Sequence, residues 1–423
     1  MSARQLRPGV MLILVTRNVM RYARRSTLTA SAMVLGLGLL IISRTLADGA
    51  HEQWIDQGVR LGAGHVALEA PGYHRSRSLD DRLDATRLAA ALAALRDPAI
   101  RGEIVTAAPR LEVEGLAAAA GSALPVQVLG VDPAAEPDFS LLDDKLTVGR
   151  YLEPGDRLGA YVGVGLLDRL GIHLGSRFVL TAQDTRGEIQ GQLVRVVGVF
   201  RTGVPDLDQG VIHLTIGTVR KWLGAPGAAS TVAVLLGQAR STDRVAGFLE
   251  ARLERYGVRA LSWRAVSPEL DAAVKIDDLG YWVFHVITLA IITLAILNAV
   301  LMAVLNRTRE FGVLRSLGLT ARATGVMVLL EGTLLSLLSG GLGLVLGLSI
   351  TWLLWRNGMD LSFLMNEELT FSGTLFDPVM IPRFRLATIA VNLGLIVIVG
   401  IMASLYPALQ ARSIDPAEAM KFE

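Results

Sequence analysis

Four apolar runs organise this chain: residues 27–47, 282–305, 326–355 and 386–408. Each approaches or exceeds the ~20 residues that a helix needs to cross a bilayer. The first is the shortest, unbroken only from Leu28 to Ile42 before Ser43-Arg44. A secretory signal competes for it, with Thr45-Leu46-Ala47 as a poor cleavage site. About 26 residues precede the run, far more than the basic leader of a signal peptide, so it reads as a retained span with Arg44 snorkelling outward.

The long polar stretch between the first two runs, residues 48–281, has the periodicities of an α+β domain. Gly64–Glu69 alternates and stops at Pro71-Gly72, which predicts a strand. Residues 81–96 set Leu88, Leu92 and Leu95 at helical spacing and end at Asp97-Pro98. Strands are expected near 104–116 and 124–131. A second strand–helix–strand unit follows near 231–237, 243–256 (Val245, Phe248, Leu249, Leu253) and 259–266. Two such units can pair into one ferredoxin-like layer, with a mostly β segment, about 140–225, inserted between them. There Val162–Gly165, Arg177–Thr181 and Leu193–Phe200 suit short strands. The predicted fold class is an α-helical membrane protein with four spans, arranged one plus three, and a large α+β extracytoplasmic domain.

Charge sets the orientation. Arg17, Arg21, Arg24 and Arg25 precede the first span; Arg307, Arg309, Arg315 and Arg322 separate the second from the third; Arg412 and Lys421 follow the fourth. The positive-inside rule places these groups, and so both termini, in the cytoplasm. Residues 48–281 and the loop 356–385, which carries Asp360, Glu367, Glu368 and Asp377, then fall outside. Composition agrees: 52% of residues are hydrophobic, and the net charge of +2 gives no argument for nucleic-acid binding.

Catalytic chemistry is hard to find. Cysteine is absent, which excludes disulfides, thiolate metal sites and cysteine nucleophiles. His51, His65, His74, His173 and His213 are scattered, with no HExxH pairing, and no Gly-x-Ser-x-Gly elbow occurs. The acidic residues lie singly and read mostly as solvated surface; His65, beside a strand, reads as structural. The spans hold little that ionises beyond Glu331 and His285, with Asn298 and Asn392 as notable polar groups, so no ion-coupled relay is expected. Ser339, Gly343 and Gly347 recur at i, i+4 in the third span, with Ser336 and Gly340 beside them. Such spacing lets backbones approach closely, within the subunit or between two copies.

The connector Asn306–Thr320 sets Phe311, Leu314 and Leu317 on one stripe beside Arg307, Arg309, Glu310 and Arg315. This predicts a short amphipathic helix at the inner interface, ended by Gly318. Its apolar ridge suits docking into a groove on a partner. At the other end of the cytoplasmic part, Asp415-Pro416-Ala417-Glu418 is a helix start: Asp at the N-cap, Pro at the first position, Glu at the third.

These segments resemble the MacB/FtsX-type permeases of ABC transporters, which include the lipoprotein-releasing LolC and LolE subunits. Residues 309–318, Arg-Glu-Phe-Gly-Val-Leu-Arg-Ser-Leu-Gly, are similar to the family's coupling helix, with Gly312 at its glycine. Glu331-Gly332 resembles its Glu-Gly pattern in the next span. Pro407-Ala408, Ala411, Pro416 and Ala419-Met420 match its C-terminal pattern, with Met for Leu. Arg17-Asn18, Arg21 and Arg25-Ser26 resemble its N-terminal amphipathic helix, here residues 1–26. Looser likenesses run through the outer domain: Gly64-His65-Val66 with Pro71-Gly72-Tyr73, pointing to the lipoprotein-releasing branch, Leu170-Gly171-Ile172 with Gly175, and Val197–Phe200 with Asp208.

The resemblance implies a multi-pass inner-membrane permease without catalysis of its own, working by mechanotransmission. Two copies, or a copy and a paralogue, would sit with two ABC ATPase subunits that use ATP and Mg, while this chain binds no cofactor. No Gly-Lys pair exists for a phosphate loop. Expected partners are those ATPases, membrane lipid, and lipoproteins or a periplasmic adaptor. The alternatives are a MacB-like efflux permease working with an outer-membrane channel, an FtsX-like signalling subunit activating a cell-wall hydrolase, or a membrane-anchored enzyme.

Overall fold

The computed structural model describes residues 23–119, 121–360, 370–371, 374–375 and 379–414. The chain divides into two compact units, one of residues 1–50, 277–361 and 379–423, the other of residues 51–276 and 362–378.

Four helices among the described residues are long and apolar enough to cross a membrane: α1 (Ala23–Leu61), α2 (Pro268–Asn306), α4 (Ala321–Trp355) and α5 (Leu386–Ser413), with the short α3 (Thr308–Ser316) between α2 and α4. Leu37 and Leu40 of α1, Ile296 and Val300 of α2, Met327 and Val328 of α4, and Ile396 and Ala403 of α5 fill the interior of the first unit. Leu35, Ile291, Leu294, Val345 and Ile398 stay exposed. Helices apolar all round suit a lipid surrounding.

The glycine stripe of α4 serves contacts within the subunit. A side chain on Gly343 would sit 2.8 Å from Leu37 Cβ, and one on Gly347 would sit 2.7 Å from the Gly38 carbonyl, so both glycines let α1 lie directly on α4. Ser339 is buried on the same helix. A second row, with Gly332 and Gly340, meets Ser404 and Ile396 of α5.

In the second unit, strands β1 (Val66–Glu69), β2 (Ile104–Ala119), β3 (Ser122–Val131), β4 (Leu146–Gly149), β5 (Gly159–Gly163), β6 (Arg177–Gln183), β7 (Ile189–Phe200), β8 (Val211–Thr215), β9 (Thr231–Leu236) and β10 (Arg259–Ser262) join in the order β10-β1-β9-β2-β3-β8-β5-β7-β4, with β6 against β2 and β7. β2, at 16 residues, is long enough to pair with different strands along its length. Its first half pairs antiparallel with β9 from Thr106 to Arg110, and its second half pairs with β3 from Leu111 onward. Beside the first half lie β1 and β10, all antiparallel. Their Val66, Leu68, Val232 and Val234 pack against Leu88, Ala91, Val245 and Leu249 of helices Ala85–Ala94 and Thr242–Leu253. Trp54, Ile55, Val59, Phe139, Trp263 and Leu270 form a separate core with Ala108, Ala233 and Leu235 of the same sheet. Strand alternation explains this sharing, because successive side chains point to opposite faces.

Several expectations are corrected. Residues 263–266 are helical rather than strand, and of the strand expected at 162–165 only residues 162 and 163 are strand, residues 164 and 165 opening the helix Val164–Leu170. The first helix starts at Ala85 because the Asp84 side chain accepts from the amides of Thr86 and Arg87 at 2.9 and 2.8 Å. β2 pairs with β3 from Leu111 onward, within the one hydrogen-bonded sheet that also holds β4–β8. Two acidic residues stand apart from the mostly solvated ones. Glu69 and Glu136 are 1% and 0% exposed. Glu136 takes the guanidinium of Arg110 in two hydrogen bonds, and that guanidinium also lies 4.4 Å over the ring of Phe139 and donates to the Gly62 carbonyl.

Candidate functional site

The connector between α2 and α4 gathers the sequence-predicted residues. It begins where Arg307 leaves α2. The Arg307 side chain is only 9% exposed, and its Nη1 donates to both carboxylate oxygens of Glu331 on α4 at 2.9 and 3.0 Å. Its Nε donates to Glu310 at 3.0 Å, and its plane lies 5.3 Å over the ring of Phe311. Charge-assisted hydrogen bonds of this kind are each worth about 1.5–3 kcal/mol. They tie the first turn of α3 to the neighbouring span.

The far end of α3 is tied as well. Arg315 donates to the carbonyl of Ile414 at the end of α5 and, at 3.5 Å, to that of Arg412. Gly318, at φ 100°, then stops the helix. Its amide donates to Arg315 O and the amide of Leu319 to Leu314 O, both at 3.0 Å, satisfying the last carbonyls in a Schellman arrangement. Thr320 at once caps α4, its hydroxyl accepting from the Ala323 amide at 3.2 Å. One residue, Leu319, thus separates one helix's stop from the next one's cap, which leaves the connector little slack.

The ridge expected to meet a partner is corrected in part. Phe311 and Gly312 are buried, and Phe311 belongs to the bundle interior with Met327, Val328, Ala408 and Ala411; Leu314 packs against the same cluster. The exposed stripe is Arg309, Val313 and Leu317, the last two 44% and 79% exposed. A helix with four residues per stripe step presents these three on one line, away from Phe311. Glu310 is partly covered through Arg307.

Pro407 lies inside α5 and is buried, next to Ala408 and Ala411, whose small side chains leave room for Phe311. Gly325 of α4 needs the same room, since a side chain there would sit 2.9 Å from the Ala408 carbonyl. Arg25 falls in the first turn of α1. Arg17, Asn18, Arg21, Asp415, Pro416 and Glu418 lie outside the described residues. The partnership of Arg307 with Glu331 was missed by the sequence reading. The available signal was a lone carboxylate early in a span, which demands a nearby cation.

The outer unit offers no group of three His, Asp or Glu among the described residues that could hold a metal ion. His65 accepts the Leu236 amide at 3.3 Å on Nδ1, and burial lowers its pKa to about 4. His213, next to the Tyr151 hydroxyl at 3.3 Å, is lowered to about 4 for the same reason. Both are neutral structural groups. Asp208 is likewise structural: its carboxylate takes the amides of Thr202 and Gly203 and the Thr202 hydroxyl.

Comparison with known proteins matches these features. Residues 26–252 fit the family model of the MacB-like periplasmic core domain, and residues 282–416 that of the FtsX-like permease C-terminal region. The chain is 24% identical over 404 residues to the lipoprotein-releasing system transmembrane protein LolC of Xylella fastidiosa (strain 9a5c), covering 93% of each. It is also 24% identical over 334 residues to LolC of Neisseria meningitidis serogroup B, covering 76% of this chain and 79% of that one. To the macrolide export ATP-binding/permease protein MacB 2 of Aeromonas hydrophila it is 25% identical over 418 residues, 96% of this chain and 59% of that one. With four helices long and apolar enough to cross a membrane among the described residues and a match to the MacB-like periplasmic core, the chain belongs to the MacB/FtsX family of ABC transporter permeases.

Proposed function

We propose that this chain receives the stroke of a separate ATP-hydrolysing subunit on α3 and passes it to its periplasmic unit, to release lipoproteins or other lipid-linked cargo from the inner membrane. The observation that carries this is the fixing of α3 at both ends, by Arg307 to α4 and by Arg315 to the end of α5. A helix held that way cannot be pushed without moving two spans. Its stripe of Arg309, Val313 and Leu317 is the face for the ATPase. In this reading the connector and both termini are cytoplasmic, as the arginine distribution supports. Two permeases, identical or paralogous, work with two ATPases, and ATP and Mg stay with the latter. The antiparallel order β10-β1-β9-β2, with two helices on one face, supports reading the first lobe as ferredoxin-like. The names of the LolC relatives favour lipid-anchored cargo.

The test is Leu317→Glu in the complex reconstituted with its ATPase. Leu317 is 79% exposed, so folding is expected to be unchanged. Substrate-stimulated ATPase activity and lipoprotein release from spheroplasts should both fall about tenfold, as expected when an interface contact worth about 1.4 kcal/mol is lost. Unchanged stimulation would refute the docking face. Release of a cell-wall hydrolase activity, or drug export with no lipoprotein release, would replace the cargo assignment.

A further inference from the structure

The end of α1 and the loop after β3 meet at one side chain, that of Arg110 on β2. Arg110 is buried and sits where β2 changes partners. It is the last residue of β2 paired with β9, opposite Thr231, and Leu111 beside it is the first paired with β3. β2 runs as one strand through both regions, so a pull on Arg110 reaches both parts of the sheet.

The guanidinium has three attachments. Nε and Nη2 hold the two oxygens of Glu136, and Nη1 donates to the carbonyl of Gly62, the residue that follows α1. Its plane covers the ring of Phe139 at 4.4 Å. Glu136 and Phe139 both belong to the loop after β3. A second arginine repeats the link: Arg60, in the last turn of α1, donates to the Phe139 carbonyl at 3.5 Å and is held by Asp56 at 2.9 Å.

Apolar contacts accompany these bonds. Trp54, Ile55 and Val59 of α1 pack with Ala108, Ala233 and Leu235, and Leu61 packs against the cluster of Leu129 and Val131. Such packing is non-directional, whereas a buried guanidinium fork fixes both distance and direction. Stability alone does not account for the fork, because apolar residues of similar volume often serve as well as a buried ion pair.

We propose that Arg110 is the positioning residue through which movement of α1 enters the sheet of the outer unit, so that the strands on the β9 side and the β3 side follow the helix end together. α1 is one unbroken helix from Ala23 to Leu61. The inference rests on the transmission role proposed above and adds the point of entry.

The chain has no cysteine, so spin labels can be placed at will. Gln57→Cys on α1 and Ala123→Cys on β3, neither fully buried, report the distance from the helix end to the β3 side in the complete complex. Double electron–electron resonance should give the same narrow distance without nucleotide and with ATP trapped. Arg110→Met with Glu136→Leu removes both charges together and leaves only the carbonyl of Gly62, a partly exposed residue, to water. In that background the distance should broaden or shift with nucleotide. ATP hydrolysis should be retained while lipoprotein release per ATP falls about tenfold, as for the loss of a hydrogen bond to a charged group. A merely structural role would lower hydrolysis and release together. A wild-type distance that changes with nucleotide overturns the assignment, as does unchanged release per ATP or an equal loss of both activities in the double variant. Leu317→Glu separates the two proposals. Normal stimulated hydrolysis there overturns transmission as a whole, whereas its loss beside an unchanged double variant overturns the role of Arg110 alone.

Discussion

Cutting the bond between α3 and α4 should weaken the bundle and silence transmission together. Arg307→Met leaves Glu331, itself 19% exposed, without the cation that holds both its oxygens. Removing one partner of a buried pair costs about 3–5 kcal/mol, and the partial exposure of Glu331 puts this case near the lower figure. Glu331→Gln should cost less, about 2 kcal/mol, because Arg307 keeps Glu310 at 3.0 Å. Both charges removed, in Arg307→Met with Glu331→Gln, leave no buried charge stranded between the two helices, and Glu310, 40% exposed, loses only Arg307. The double variant should therefore be more stable than the sum of the singles by about 2 kcal/mol. Reversible unfolding in mixed detergent–SDS micelles measures the three values, and ATPase stimulation in the assembled complex follows the functional side. Additivity within about 0.5 kcal/mol would refute the claim that this pair joins the two helices.

Glu136→Ala strands the Arg110 guanidinium, 3% exposed, and should destabilise the outer unit by about 3–5 kcal/mol, read from denaturant midpoints at constant slope. Gly347→Ile would push against the Gly38 carbonyl and Ile41; a loss of about 1–3 kcal/mol in the micelle assay is expected, and none would show that α1 and α4 do not touch there. Two pH effects oppose each other. Glu69 holds its proton up to about 7 when folded against 4.5 otherwise, so the folded state binds more protons in that window and loses up to about 3 kcal/mol as pH rises through it. His65 and His213, lowered to about 4 from 6.5, bind fewer protons when folded, so they cost stability as pH falls through that window. Glu69→Gln should unmask a steeper acid loss between pH 6.5 and 4; an unchanged profile would disprove the assignment to Glu69.

Hydropathy alone determined the four spans, because about 20 apolar residues have few soluble uses and the bilayer leaves the backbone few choices. Local chemistry likewise specified the stop at Gly318, whose left-handed backbone suits a residue without Cβ. The spacing of Phe311, Leu314 and Leu317 announced an amphipathic helix but not what its apolar side would meet. That was decided by the bundle: Ala408 and Ala411 leave a space that Phe311 fills, so the stripe left outside is the one through Arg309, Val313 and Leu317. Glycines at i, i+4 in α4 promised a close approach, and only the packed structure named α1 as the partner. Buried charges were the least legible. Arg307 and Glu331 are 24 residues apart, and Arg110 and Glu136 are 26. A charged side chain looks the same in sequence whether water or a distant partner solvates it, and tertiary packing alone decides which.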